Sequence, residues 1–147
     1  MVDRESFRQF VRLLSSIEDR VRGGRVLILV EGERDRASLL ALGLPHHGIR
    51  VLNQGVSLAS LAESLSEEGN EVIVLTDWDF TGGRLARRLS DVLHGCGLRV
   101  DTETRRRIAR ATWREVLEVE NLSGWAERES ASLKEPLIAG PLDAGGP

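Results

Sequence analysis

The sequence predicts an α/β protein in which a parallel sheet of four strands is flanked by helices. Three observations lead to this fold class. Short apolar segments alternate with helical patterns in the order β-α-β-α-β-α-β between residues 26 and 100. The apolar segments at 26–30 and 72–76 are continuous, which is typical of parallel strands buried on both faces. Glycine stands at several boundaries between strands and helices, and strands that alternate with helices in this way form parallel sheets.

Helices are predicted from apolar spacing and from residues that typically begin or end a helix. The first helical segment is amphipathic and is stopped by Gly23, the second is closed by Gly43, and Ser57 is a typical N-cap for the third. The predicted helices, in chain order, cover residues 3–22, 35–42, 57–68, 81–93, 104–110 and 121–129. Residues 111–119 allow two interpretations, a further short helix or an edge strand followed by a loop.

Strands are predicted for residues 26–30, 49–52, 72–76 and 98–100, with a turn at 53–55. Together these elements indicate a single domain that covers residues 24–130. The helix within residues 1–23 is expected to pack on that domain. Residues 131–147 are expected to form a flexible C-terminal tail, because most of that segment is rich in Gly and Pro and has no apolar periodicity.

Composition excludes several classes of protein. The chain of 147 residues is 41% hydrophobic, which suits one compact domain with a core. No apolar run approaches the roughly 20 residues that cross a bilayer, and the N-terminus lacks a signal-peptide pattern, so we expect a cytoplasmic protein without membrane contact. The net charge is −3, which argues against a polycationic nucleic-acid protein. The single Cys96 cannot form an internal disulfide.

Three carboxylates at the ends of two predicted strands are the main chemical signal. Glu31 follows the first strand, and Asp77 and Asp79 follow the third. If these two strands are neighbours, about 4.8 Å apart, the three side chains come within reach of one or two cations. Oxygen ligands favour Mg²⁺, with Mn²⁺ as an alternative. The sequence therefore predicts a metal site formed by Glu31, Asp77 and Asp79.

Residues next to these carboxylates suggest phosphate binding. Gly32 and Gly82 have no Cβ, so a phosphate could approach their backbone closely. Arg84 is the best candidate for a phosphate clamp, whereas Arg87 and Arg88 fit a solvated helix face. Each feature also has an ordinary explanation. The aspartates could simply begin a helix, and Asp35 fits an N-cap better than a ligand.

The two acidic motifs together resemble the Toprim family of topoisomerases, primases, OLD-family nucleases and ribonuclease M5-like enzymes. The resemblance rests on Glu31-Gly32 and on Asp77-Trp78-Asp79 with its extension to Arg84, and it covers residues 24–120. It implies a small stand-alone protein with a Rossmann-like Toprim fold, nearest the ribonuclease M5 and primase branch. It also implies that Glu31 is a general acid or base and that the two aspartates bind Mg²⁺. Thr81 departs from the topoisomerase pattern, which has a third aspartate there, so a second metal is less certain.

The function predicted from these residues is metal-dependent chemistry on phosphodiesters, best represented by a nuclease or RNA-processing endonuclease. Glu31 and Arg84 are the expected catalytic residues, and nucleic acid, RNA in particular, is the expected partner. The alternative is a non-catalytic nucleic-acid-binding subunit of a larger assembly, and a protein partner or a homodimer fits either function. A receiver-like phosphoacceptor is a third hypothesis, weakened because the only lysine is Lys134. The chain has no tyrosine, so it cannot by itself be a topoisomerase.

Overall fold

The computed structural model describes residues 1–52 and 55–138, and it has the predicted α/β architecture with a parallel sheet of four strands. The helices are α1 (Arg4–Arg22), α2 (Glu33–Ala41), α3 (Leu58–Glu68), α4 (Phe80–Gly95), α5 (Glu103–Ala111) and α6 (Leu122–Leu133). The strands are β1 (Val26–Val30), β2 (Ile49–Val51), β3 (Glu71–Val74) and β4 (Arg99–Asp101). Two turns of 3₁₀ helix cover His46–Gly48 and Val119–Asn121. In the described part, no helix combines the length and apolarity needed to cross a membrane.

The strand order β2-β1-β3-β4 makes β1 and β3 neighbours at the centre of the sheet. Their register pairs Leu29 with Val74, so the carboxyl ends of both strands lie at the same edge. The chain moves from β1 to β2 on one side and then crosses to β3 on the other. In open α/β sheets, ligands bind in the crevice at such a switch point, beyond the carboxyl ends of the strands. The predicted pairing of the first and third strands is confirmed.

Alternate side chains of the strands face two separate cores. Ile28 and Val30 of β1 belong to a core shared with α1, α2, α5 and α6, whereas Leu27 and Leu29 belong to a core shared with α3 and α4. This alternation is the period of two expected for a strand. Because both faces of the central strands are covered, β1 is apolar throughout and β3 is apolar from Val72 onward, as the sequence indicated.

Helix α1 is an integral part of one helical layer. Asp3 caps it through a hydrogen bond of 2.8 Å from the Ser6 amide. Its buried face brings Phe7 and Phe10 against Trp125 of α6, with ring centroids 6.0 Å and 5.3 Å from the Trp125 ring. Aromatic pairs at these separations add to the stability already provided by apolar burial.

The structure corrects the predicted start of the C-terminal tail at residue 131. Helix α6 continues to Leu133, and Lys134 ends it in the left-handed conformation with φ of 54°. Beyond the helix, Glu135 forms an ion pair of 2.7 Å with Arg8 of α1, and Leu137 packs against the core. The sequence did not indicate these contacts, because the segment has little apolar periodicity and its partners include the distant N-terminal helix. The predicted flexibility of residues 139–147, like the turn positions 53 and 54, lies outside the described residues.

The segment after α5 is neither of the two structures predicted for residues 111–119. It is a tight turn followed by an extended loop and the 3₁₀ turn that begins at Val119. Trp113 and Arg114 both adopt the left-handed conformation, with φ of 53° and 54°. Two successive non-glycine residues in this region are unusual and are held by surrounding contacts. Trp113 is half exposed.

Candidate active site

The loops that follow β1 and β3 meet through a direct hydrogen bond. The backbone N–H of Asp77 donates to Oε2 of Glu31 over 2.9 Å. The two residues are 46 positions apart in the chain and are brought together by the pairing of β1 with β3. Glu31 is therefore held at the switch point in a defined orientation. The predicted contact between the two strand ends is confirmed.

Asp77 lies at the centre of the acidic cluster formed by Glu31, Asp35, Asp77 and Asp79. It is half-buried, and its Oδ1 accepts a hydrogen bond of 2.9 Å from the Val119 amide. Burial raises the pKa of Asp77 to about 6, and the negative charges of the other three carboxylates act in the same direction. The hydrogen bond from Val119 opposes this shift. The acidic cluster therefore concentrates negative charge, and a bound cation would reduce the repulsion between its carboxylates.

Asp79 is the N-cap of α4. Its Oδ1 accepts a hydrogen bond of 2.7 Å from the Gly82 amide, the arrangement expected of an aspartate that begins a helix. The structural interpretation of Asp79 is therefore correct, and it does not exclude a chemical one. In the described residues, the second carboxylate oxygens of Glu31, Asp77 and Asp79 accept no hydrogen bond.

Gly82 is required by the tight turn between β3 and α4. A Cβ at this position would lie 1.8 Å from the carbonyl oxygen of Asp77. The turn is also closed by the buried hydroxyl of Thr76, which donates to the Gly82 carbonyl over 2.7 Å. Because Gly82 is buried and its amide donates to Asp79, the predicted role in phosphate approach is corrected to a packing role.

Gly32 has a different environment. A Cβ at Gly32 would meet no atom within 4 Å, so the space beside its backbone is open. Its amide donates to Oδ2 of Asp35 over 3.0 Å, so Gly32 is the N-cap of α2 and Asp35 caps the helix from its third position, not from the N-cap position that the sequence indicated. Burial is the main cause that raises the pKa of Asp35, and Glu31 and Glu120 add to it. The Gly32 amide is therefore already occupied, whereas the space beside Gly32, where a close approach of phosphate was predicted, is open.

Arg84 lies on the exposed side of α4, one turn after Asp79. Its guanidinium carbon is 5.9 Å from the ring centroid of Phe80, a separation typical of a cation–π contact. Phe80 is 78% exposed and follows Asp79 directly. Arg84 therefore contacts the neighbour of Asp79 in the chain, and its role as a phosphate clamp stays a prediction.

Arg105 of α5 is a site residue that sequence reasoning missed. Its guanidinium donates to the carbonyl oxygen of Thr76 over 3.0 Å and to that of Asp77 over 2.5 Å. These bonds hold the end of β3, from which the Asp77 side chain projects. Burial lowers the pKa of Arg105, an effect that the nearby Asp79 opposes. The concentration of arginines in α5 was the available signal, but the sequence does not indicate which of them turns inward.

The loop after α5 also holds the segment between the two aspartates. The Trp78 amide donates to the Leu117 carbonyl over 3.0 Å, and the Trp78 indole N–H donates to the Val116 carbonyl. Arg114 donates to the Trp78 carbonyl over 2.7 Å. Trp78 is only 2% exposed, which leaves almost no ring surface for a base to stack on.

A metal ion at the acidic cluster would have few protein ligands. In residues 1–52 and 55–138, no three His, Cys, Asp or Glu side chains form a group that could hold a metal ion. Glu31, Asp77 and Asp79 each accept a backbone hydrogen bond through one carboxylate oxygen, which orients these side chains in part. Magnesium commonly binds through one or two carboxylates and keeps several waters. The carboxylate oxygens that accept no backbone hydrogen bond would therefore be sufficient ligands for it. The predicted set of three ligands stays a prediction.

The raised pKa of Asp77 predicts a change of stability with pH in metal-free protein. Between its ordinary value of 3.8 and about 6, the folded state retains a proton that the unfolded chain releases. The contribution of Asp77 to the free energy of unfolding should therefore decrease as pH rises through this window. Above the window, the contribution should decrease no further. Asp77→Asn should stabilise the protein by about 1 kcal/mol at pH 7.5, after allowance for solvent screening, and by close to nothing at pH 4.

Urea unfolding of both proteins in EDTA between pH 4 and 7.5 measures this difference. The asparagine oxygen can still accept the Val119 hydrogen bond, so the substitution changes charge with little change in shape. A stability difference that stays constant across the pH range would contradict the prediction.

The fold and the site define an α/β protein with an acidic cluster at the topological switch point of a parallel sheet. The chain belongs to the UPF0292 family. It is 35% identical over 126 residues to a UPF0292 protein of Methanosarcina barkeri, covering 83% of this chain and 86% of that protein. It is 36% identical to a UPF0292 protein of Pyrococcus horikoshii, covering 80% of this chain and 84% of that one.

Structural comparison agrees on the fold. A solved structure of an Aquifex aeolicus protein superposes with a TM-score of 0.63 at 24% identity, covering 74% of this chain and 94% of that chain. No family model matches the sequence. The names of these relatives state no activity, so function is argued from the site.

Proposed function

We propose that this protein is a metal-dependent enzyme of the Toprim type that acts on phosphodiester bonds of nucleic acid, most directly as a nuclease or RNA-processing endonuclease. The observation that carries the proposal is the hydrogen bond between the Asp77 amide and Glu31. It brings the two motifs of the resemblance to one point at the sheet edge, where α/β proteins bind ligands. A cytoplasmic setting, expected from the sequence, belongs to the same proposal.

In this proposal, Asp77 and Asp79 hold Mg²⁺ or Mn²⁺ through the oxygens that the backbone does not use, with Glu31 beside them. Such an ion, when bound, polarises the scissile phosphate and lowers the pKa of a bound water. Glu31 is oriented by the Asp77 amide and moves a proton through its second oxygen. Arg84, which contacts Phe80 next to Asp79, stabilises negative charge on the phosphate oxygens.

One observation favours the alternative function, a nucleic-acid-binding subunit without catalysis. Each of the three carboxylates already has a structural role, because each accepts a backbone hydrogen bond that organises the loops. If the carboxylates served only to organise the loops, the charged side chains around them could still contact nucleic acid.

The test compares wild type with the double variant Asp77→Asn/Asp79→Asn. Asparagine can accept the same hydrogen bonds from Val119 and Gly82, and it is a good N-cap, so the fold should be retained. Structured RNA and single-stranded DNA are incubated with Mg²⁺ or Mn²⁺, and Mn²⁺ binding is measured separately by calorimetry. We expect wild type to cleave, and the double variant to lose at least about 100-fold in rate together with Mn²⁺ binding.

The outcomes separate the two functions. RNA binding that survives in the double variant, with no turnover by wild type under either metal, would establish the binding subunit and overturn the enzyme. If wild type neither binds nor cleaves either nucleic acid, both functions are overturned.

A further inference from the structure

Helix α5 carries more positive than negative charge. It contains four arginines and a single acidic residue, Glu103. Glu103 lies 3.5 Å from Arg106, 3.8 Å from Arg107 and 3.2 Å from Arg110. One carboxylate is therefore shared by three guanidinium groups whose side chains are 66%, 62% and 74% exposed. Exposed ion pairs of this kind are weak, so these arginines can exchange Glu103 for another anion.

Four arginines of this region line one cleft. Arg105, Arg106 and Arg110 come from α5, and Arg114 comes from the loop that follows it. With Trp78 and Ala109, they enclose a cleft of about 250 Å³, which we call the arginine cleft. The cleft is defined by positive side chains on a protein whose net charge is −3, so its charge is local and not a property of the whole surface.

The arginine cleft adjoins the acidic cluster through two backbone contacts. Arg105 donates to the Asp77 carbonyl and Arg114 donates to the Trp78 carbonyl. Both partners are neutral, so the two guanidinium charges are not cancelled by these bonds. A chain of phosphates lying in the cleft would thus reach the segment that carries Asp77 and Asp79.

The positive surface continues beyond the arginine cleft to α1. Arg110 and Arg107 also line a second cleft, of about 400 Å³, between α1 and α5, to which Arg12 contributes. Arg12 has an ion pair of 3.0 Å with Glu5, so it contributes less free charge than the arginines of α5. The surface therefore leads from the acidic cluster outward along α5, with its strongest charge nearest the cluster.

We propose that the arginine cleft binds the phosphodiester backbone of the nucleic acid and leads it to the acidic cluster. This inference deepens the proposed function and rests on it. A series of exposed guanidinium groups suits a series of phosphates, because each can bind an anion through two N–H groups. An extended polyanion can also contact both clefts at once, which a single small phosphate cannot.

The test uses a variant of the cleft and a matched variant elsewhere. Arg106→Gln/Arg110→Gln removes two exposed charges and leaves Arg105 in place to hold β3. Arg87→Gln/Arg88→Gln removes the same charge from exposed positions of α4, which packs on the opposite face of the sheet. Binding of a fluorescent single-stranded RNA of about 20 nucleotides is measured by anisotropy in EDTA, at salt concentrations between 50 and 200 mM.

We expect the cleft variant to bind at least about tenfold more weakly than wild type, and the α4 variant within about twofold. The slope of log affinity against log salt should decrease in magnitude by about 0.7 for each RNA phosphate that the cleft variant no longer neutralises. Equal affinities and slopes for the two variants would overturn the inference. So would a polyaspartate of similar length that competes as well as RNA does, because the cleft would then fit an acidic protein surface.

Failure of this inference is distinguishable from failure of the enzyme. Binding is measured without metal, whereas cleavage requires it. If the wild-type protein binds RNA through the cleft but never cleaves it, the inference is supported and catalysis is overturned. Cleavage that is unchanged in the cleft variant, with unchanged binding, overturns the inference and leaves catalysis in place.

Discussion

Replacing Glu31 with glutamine should reduce metal-dependent cleavage by about 100- to 10,000-fold, the range usually lost with a general acid or base. The substitution is nearly isosteric. The amide oxygen of glutamine can still accept the hydrogen bond of 2.9 Å from the Asp77 amide, so the two strand ends should stay together. What is lost is the negative charge and the ability to accept a proton at the second oxygen. Initial rates on structured RNA at saturating Mg²⁺ measure the effect.

Glu33→Gln is the matched control for this experiment. Glu33 is exposed on the first turn of α2, two residues away, and its described ion pair is a long one of 3.6 Å with Arg36. It should cleave within about twofold of wild type, since a surface ion pair contributes little. Thermal unfolding verifies that both variants are folded. Equal rates for Glu31→Gln and wild type, above a background that EDTA abolishes, would show that Glu31 takes no part in proton transfer.

Gly82→Ala should have the largest effect on stability, lowering the free energy of unfolding by about 3 kcal/mol or preventing folding. The new Cβ would lie 1.8 Å from the Asp77 carbonyl oxygen, so the turn between β3 and α4 would have to open. That oxygen is also the acceptor for Arg105, so the displacement would reach α5. Urea unfolding measures the change, and Mn²⁺ binding by any folded fraction measures the damage to the acidic cluster.

Gly83→Ala provides an adjacent control in the same helix. At Gly83, the nearest atom to a new Cβ is a guanidinium nitrogen of Arg105 at 3.6 Å, an ordinary contact. Because alanine favours helix more than glycine does, this variant should be stabilised by up to about 1 kcal/mol. A Gly82→Ala variant as stable as Gly83→Ala would contradict the close approach of Gly82 to the Asp77 carbonyl.

The acidic motifs were readable in the sequence because each follows a continuous run of apolar residues, at 26–30 and from Val72 to Leu75. Glu31 directly follows Val30, the last residue of β1, and Asp77 follows β3 after two buried residues, so the strand positions placed both carboxylates at the sheet edge. The capping roles of Asp35 and Asp79 were also predictable, since a cap depends on residues three positions away. The neighbouring glycines were harder to interpret. The sequence shows that residue 82 has no side chain, but it does not show that a Cβ there would clash with the Asp77 carbonyl oxygen.

Arg105 and the loop after α5 could not be recognised in advance. Arg105 contacts residues 28 and 29 positions earlier, and Val119 reaches Asp77 across 42 positions. The two left-handed residues Trp113 and Arg114 have no local sequence signature, because glycine is absent there. The Val119 hydrogen bond orients Asp77 and opposes the rise in pKa that burial causes, yet none of these contacts follows from local propensity.

By itself, the sequence determined the order of strands and helices, the covering of both sheet faces and the positions of three carboxylates at strand ends. Those properties follow from apolar periodicity and caps, which act over one or two turns of chain. Only the tertiary structure decided which oxygens the backbone occupies, which arginine of α5 holds β3 and which ones line a cleft. Such choices depend on contacts between distant segments, and their energies become defined only when β1, β3 and α5 have packed together.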